Sequence, residues 1–336
     1  MNQLAKIDLL NTFLILVSLV IACVIPFKLF VITYAVLGPL HYITEINWIR
    51  DRGYFLNNKY WIYIIIVFSI VIVLPLLFKL DVFESLEHSV FLFIQNELPQ
   101  YTNALIFLVL IIAYAFLFIK HKVHIIGVIT LGVVLAILLN ETNSYNLYIG
   151  IFLPTIIHVY LFTLLFMWYG NTKVKTRIGW FNLMLLVGIP FIISFLNLSN
   201  INYHFSDEVK GIITDNRFHV LNVNLSKLLG FSDGTNFFFY EIIDIKIQIF
   251  IAFAYTYHYL NWFSKTTVIG WHKKLTQRKS LLILLIWLIS IAIYSYDYKV
   301  GLALLFMLSL IHVFAEFPLN LISIKGILSS FISAKK

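Results

Sequence analysis

The chain has 336 residues, 61% of them hydrophobic and only 12% charged, with a mean hydropathy of +0.91, where an ordinary soluble domain carries about a quarter charged residues. No soluble fold hides that much apolar surface, so soluble enzymes and soluble binding modules are excluded. The net charge of +8 would suit nucleic acid, but the lysines and arginines gather in alternate loops between apolar runs, which is the pattern that orients a chain in a membrane; no nucleic-acid partner is expected.

Taken in chain order, apolar runs long enough to cross a bilayer fall at 9–25, 28–46, 60–79, 103–119, 125–140, 147–169, 178–196, 241–262, 280–296 and 300–322. They predict an all-α polytopic bundle of about ten transmembrane helices, folded as a single transmembrane domain over 1–336. The first run lacks a small-residue cleavage pattern and more spans follow it, so it reads as a retained helix rather than a signal peptide. Within it lies Cys23, the single cysteine, which leaves neither a disulfide framework nor a cysteine zinc site.

Loop charge tests the count. Arg50, Arg52 and Lys59 share one loop, Lys120 and Lys122 another, Lys173, Lys175 and Arg177 a third, and Lys265, Lys273, Lys274, Arg278 and Lys279 a fourth. The loops between them are acidic or mixed: Asp81, Glu84, Glu87 and Glu97 in one, Glu141 in the next, then the long 197–240 segment. This alternation predicts both termini in the cytoplasm and a multi-pass protein of the cell inner membrane. Two loops are more than connectors. In 81–99, Val82, Leu86, Val90 and Phe93 or Ile94 recur at helical spacing, predicting an amphipathic helix on the outer surface, either a lid or a functional element. The Asn- and Asp-rich 197–240 segment is long enough for an extracytoplasmic loop or small cap.

Function has to be sought in the polar residues kept inside the spans, because an ionisable group at membrane depth costs some kilocalories per mole and is usually paired and turned inward. Six histidines, at 88, 121, 124, 204, 219 and 272, lie in or beside loops and read as solvated side chains. The other four are His41, His158, His258 and His312, all on even-numbered spans. Their helices therefore run in the same direction. They stand about 11 to 17 residues from the outer start of their spans, a spread of roughly 9 Å in depth, so they can share one layer.

Glu45 follows His41, and Glu316 follows His312, by four residues, so each carboxylate lies on the face of its histidine. A carboxylate can ligate a metal directly or accept the second ring N–H of a ligating imidazole. Imidazole with carboxylate favours iron, zinc, manganese or copper over calcium or magnesium. Any one of these histidines, taken alone, is equally a packing residue bonded to a carbonyl or a tyrosine of a neighbouring helix. Four at one depth with two carboxylates point to a shared metal site, with His41, His158, His258 and His312 as ligands and Glu45 and Glu316 as ligands, supporting partners or catalytic bases. Thr44 and Asn47 beside the first pair, Tyr255, Tyr257 and Asn261 around His258, and Asn320 after Glu316 are further polar neighbours. Tyrosine and asparagine are also ordinary residues of helix ends.

The run Gly38-Pro39-Leu40-His41-Tyr42-Ile43-Thr44-Glu45 resembles the Gly-x-Pro-His-Gly-x-x-Asp signature of the bacterial Brp/Blh-type β-carotene 15,15′-dioxygenases, with Glu for Asp and Tyr42 for the small residue after histidine. Phe253-Ala254-Tyr255-Thr256-Tyr257-His258-Tyr259-Leu260-Asn261-Trp262 is similar in part to that family's later aromatic-Trp-His-Ser-x-Arg-His motif, with Trp262 at the second histidine and Asn261 at the arginine. The resemblance implies a non-haem Fe2+ held by intramembrane histidines and cleavage of a carotenoid by O2 to retinal. The expectation is thus an intramembrane iron oxygenase acting on a lipid-soluble polyene that enters from the membrane lipids. Two alternatives stay open at this point: a Zn2+-dependent hydrolase of a lipid amide or ester, with Glu45 or Glu316 as general base, and a transporter whose His and Glu residues relay protons or bind a cation. Haem ligation by paired histidines is a further one.

Overall fold

In the computed structural model, residues 3–56, 58–80, 83, 89–266 and 268–333 are described, and the regular structure among them is helical. The helices are α1 (Gln3–Val24), α2 (Pro26–Asp51), α3 (Trp61–Leu77), α4 (Ser89–Asn96), α5 (Thr102–Phe118), α6 (Lys122–Leu139), α7 (Asn143–Val174), α8 (Arg177–Phe195), α9 (Asp207–Asp215), α10 (His219–Leu228), α11 (Ile242–Lys265), α12 (Gln277–Tyr296) and α13 (Tyr298–Ser333). Each of the ten expected spans coincides with one of them. Among the described residues eight helices are long and apolar enough to cross a membrane, and the chain is a multi-pass membrane protein. The other two expected spans are α3, which has 17 residues, and α11, which has 24 residues but carries Asp244, Lys246 and Lys265.

Local chemistry sets several boundaries. Pro26 opens α2, where its missing N–H costs nothing and its fixed φ suits the first turn. Thr176 caps α8, accepting from the Gly179 amide at 3.0 Å, and Ser206 caps α9 through the Val209 amide. Between α7 and α8 the chain reverses through Lys175, which adopts the left-handed conformation at φ +56°. Much of α7 is wound wider than an α-helix: Asn146–Phe162 is π-helical, and α-winding resumes at Thr163.

The chain divides into two compact units. The first comprises Met1–His41, Ile156–Ile286 and Ser323–Lys336, and the second Tyr42–Thr155 and Trp287–Ile322. In the first unit α1 packs on α8 and α11, the end of α7 packs on α8, and α10 packs on α11. Helix α11 is the buried centre of this unit, with Phe253, Tyr257 and Tyr259 almost fully enclosed. The 197–240 segment folds into α9 and α10 and is held down by aromatic rings. Phe205, Phe237 and Phe239 stand 4.8, 6.0 and 5.1 Å from the ring of Phe27, and Phe218 stands 5.0 Å from Phe30.

In the second unit α5 packs against α6 and α3. Gly132 of α6 permits the close approach, since a Cβ there would stand 2.8 Å from Ile111. Of the 81–99 stretch, Phe83 and 89–99 fall within the described residues; Val82 and Leu86, half of the expected apolar face, lie outside them. Helix α4 does form, with Phe91 5.0 Å from Phe78 of the α3 end and Val90, Leu92 and Phe93 exposed.

Candidate functional site

The first unit brings together three of the four expected ligands. His41 comes from α2, His158 from the π-helical part of α7, and His258 from α11; they are 1%, 2% and 4% exposed. The ring of His258 lies between the others, 4.7 Å from that of His41 and 5.1 Å from that of His158. Ring nitrogens of His41 and His258 approach within 4.8 Å. Aromatic side chains close the surroundings: Tyr259 and Trp262 are 4.9 and 5.8 Å from His41, and Phe162 is 6.4 Å from His158.

One contact in this group escapes a reading of the sequence. Thr163 lies 2.7 Å from Nδ1 of His258 and, on its own helix, 2.9 Å from the carbonyl of Val159. Residues 158 and 163 are five apart, which on an α-helix separates them by about 140° around the axis. The wider π-winding, at about 4.4 residues per turn, brings them to within about 50°. Helical spacing applied to the sequence puts Thr163 on a different face from His158. Only the observed winding turns both toward α11.

The second unit holds the remaining expected residues. His312 of α13 is fully buried, and its Nε2 is hydrogen-bonded to Oε2 of Glu45 on α2 at 3.2 Å. Oε1 of Glu316, one turn along α13, lies 3.9 Å from the same nitrogen. Glu45 and Glu316 are 2% and 1% exposed. Glu45, which the sequence pairs with His41 by spacing, thus also has a partner on another helix. The ring of Tyr42 covers His312 at 4.9 Å. Two carboxylates converging on one imidazole can store and transfer a proton. The same set can also offer oxygen and nitrogen donors to a cation.

The further polar neighbours divide. Tyr257 turns away from the histidines and bonds Asn11 and Met167, each at 3.3 Å, while Tyr255 packs on Phe30 and Tyr34. Thr44, Asn261 and Asn320 are buried and Asn47 is half-buried. Of the loop histidines, His121, His124 and His204 are exposed as expected. His219 is half-buried, its Nδ1 3.4 Å from the Ile213 carbonyl. His88 lies outside the described residues.

The donor set of the first unit fits a transition metal rather than calcium or magnesium, being imidazole throughout. Beside residue type, the Thr163 hydroxyl 2.7 Å from Nδ1 of His258 resembles the outer hydrogen bond that commonly orients a metal-bound histidine. No family model, curated protein or solved structure matches the chain.

Proposed function

We propose that the protein is an intramembrane non-haem iron oxygenase that acts on a carotenoid or another lipid-soluble polyene, cleaving it in the manner of the β-carotene dioxygenases its motifs resemble. The observation that carries the reading is the convergence of three buried imidazoles, from α2, α7 and α11, within one unit. An isolated buried histidine serves packing at little cost. Three gathered around the ring of His258 place several imidazole nitrogens in one buried region, the donor type that a transition metal prefers.

In this reading His41, His158 and His258 hold Fe2+, which supplies one-electron chemistry with O2 when bound. His312 with Glu45 and Glu316 handles protons, and loss of metal in a His312 variant would extend the ligand set to that residue. The aromatic rings of Tyr259, Trp262 and Phe162 exclude water and offer a polyene flat apolar faces. Substrate reaches them from the membrane lipids. The alternation of basic and acidic loops supports placement in the cell inner membrane with both termini in the cytoplasm.

The test is elemental analysis of anaerobically purified full-length protein, beside the His41→Ala, His158→Ala, His258→Ala and His312→Ala variants. Stoichiometric iron in the wild type and background iron in the first three variants is the expected result. Stoichiometric zinc without iron would replace the oxygenase with a lipid hydrolase, and metal-free wild-type protein would remove the metal site. Expression in a carotenoid-producing host, with retinal measured by chromatography, tests the substrate.

A further inference from the structure

Thr163 sits where the π-winding of α7 ends, with its hydroxyl between two groups: the Val159 carbonyl at 2.9 Å and Nδ1 of His258 at 2.7 Å. A hydroxyl carries one hydrogen and two lone pairs, and a carbonyl oxygen only accepts. The back-bond to the carbonyl four residues earlier is the usual disposition of a threonine in a helix. It takes the single hydrogen. The oxygen then faces Nδ1 with a lone pair, so Nδ1 must carry the ring hydrogen, and a neutral imidazole protonated there keeps its own lone pair on Nε2.

We propose that Thr163 is a positioning residue that fixes His258 in the Nδ1–H tautomer and presents Nε2 as the nitrogen for metal. The proposal rests on the reading of His258 as a ligand. It adds that the π-winding of Asn146–Phe162 serves the site: in an α-helical segment Thr163 would stand about 140° from His158, and both could not reach α11. Neutral imidazole in water prefers its hydrogen on Nε2, the opposite of the tautomer that the Thr163 contact favours. Without Thr163, His258 must change tautomer before it binds.

The experiment is imidazole 15N NMR on the metal-free, full-length protein labelled at histidine, with His258→Gln used to assign the signal. The wild type and Thr163→Ser should show a protonated Nδ1 and an unprotonated Nε2 at His258, and Thr163→Val should show the reverse. A protonated Nε2 in the wild type, or an unchanged tautomer in Thr163→Val, would overturn the assignment.

Iron(II) titration supplies the second readout. Thr163→Val should weaken binding by about 10- to 100-fold, the usual effect of removing a partner of a ligating histidine, and Thr163→Ser should restore it. If Thr163→Val binds as tightly as wild type while His258→Ala does not bind, the positioning role fails and the metal site stands. If wild type binds no iron, the metal reading falls and the tautomer measurement alone decides Thr163.

Discussion

Two groups of polar side chains lie in the first unit, and they use their polarity in opposite ways. At one end of α1, Asn182 of α8 donates to the Asp8 carbonyl at 2.7 Å and accepts from Thr12 at 2.6 Å, while Thr176 bonds the Asp8 carboxylate. Nearby, Asn11 accepts from Tyr257 at 3.3 Å and Ser264 at 3.1 Å. Every side chain in this knot meets a different kind of group, donor to acceptor, and the product is helix α1 tied to α8 and α11. Around His258 the neighbours include other imidazoles and aromatic rings, and the Thr163 hydroxyl lies 2.7 Å from its Nδ1. Such a gathering of like groups is what the proposed metal site would require. Tyr257 and His258 are consecutive on α11, about 100° apart around its axis, and one serves the knot while the other serves the site.

Breaking that adjacency gives the largest expected contrast. His258→Ala should reduce bound metal to background and lower product formation by more than the roughly 100-fold that the loss of an outer partner costs. Tyr257→Phe should leave metal content unchanged and lower stability in detergent by about 0.6–1 kcal/mol, the range for one hydrogen bond between membrane helices. If both variants lost metal, the two groups would be one.

The next contrast is between the histidine group and the carboxylates of the second unit. Glu45→Gln and Glu316→Gln keep the shape and a hydrogen-bonding oxygen while removing the ionisable group. If these residues carry protons, product formation should fall by about 10²-fold or more with metal content retained. Loss of metal in either variant would reassign that glutamate as a ligand.

How much of this was legible in the sequence follows from what each feature depends on. The ten apolar runs each became a helix because the bilayer demands length and hydropathy, both local properties. The four histidines and two glutamates could be picked out because ionisable groups in such runs are conspicuous, and all six are buried. The partner of Glu45 on another helix, His312, was not legible, because spacing along one helix says nothing of its neighbour. Thr163 is hidden for another reason: an α-helical period places it on a different face from His158, and the segment is π-wound. The 197–240 stretch reads as polar from its Asn and Asp, while the Phe205, Phe237 and Phe239 rings that anchor it to Phe27 are scattered without a period.

Smaller effects test the knot itself. Asn182→Leu removes the donor to Asp8 and the acceptor for Thr12, both in a nearly fully buried position. Stability should fall by about 1–2 kcal/mol, read as an earlier unfolding transition in detergent, with metal content and product formation unchanged. A metal deficit in this variant would mean that α1 helps to hold the histidines in place.

The smallest expected effect compares one substitution at two sites. Thr12→Val and Thr163→Val each replace a hydroxyl by a methyl group at nearly constant volume. Thr12 gives its hydrogen to Asn182, with the Asp8 carbonyl also within 3.2 Å, so its loss leaves the Asn182 oxygen short of one donor. Membrane helices typically lose about 0.6 kcal/mol for such a bond, because the separated helices also find partners. Thr12→Val should therefore shift the unfolding transition slightly and leave iron affinity where it was. Thr163→Val removes a bond that also joins two helices, α7 and α11, so it should shift the transition by a similar amount, and under the proposed role of His258 it should lower iron affinity as well. Equal affinities in the two variants would erase the distinction between knot and site.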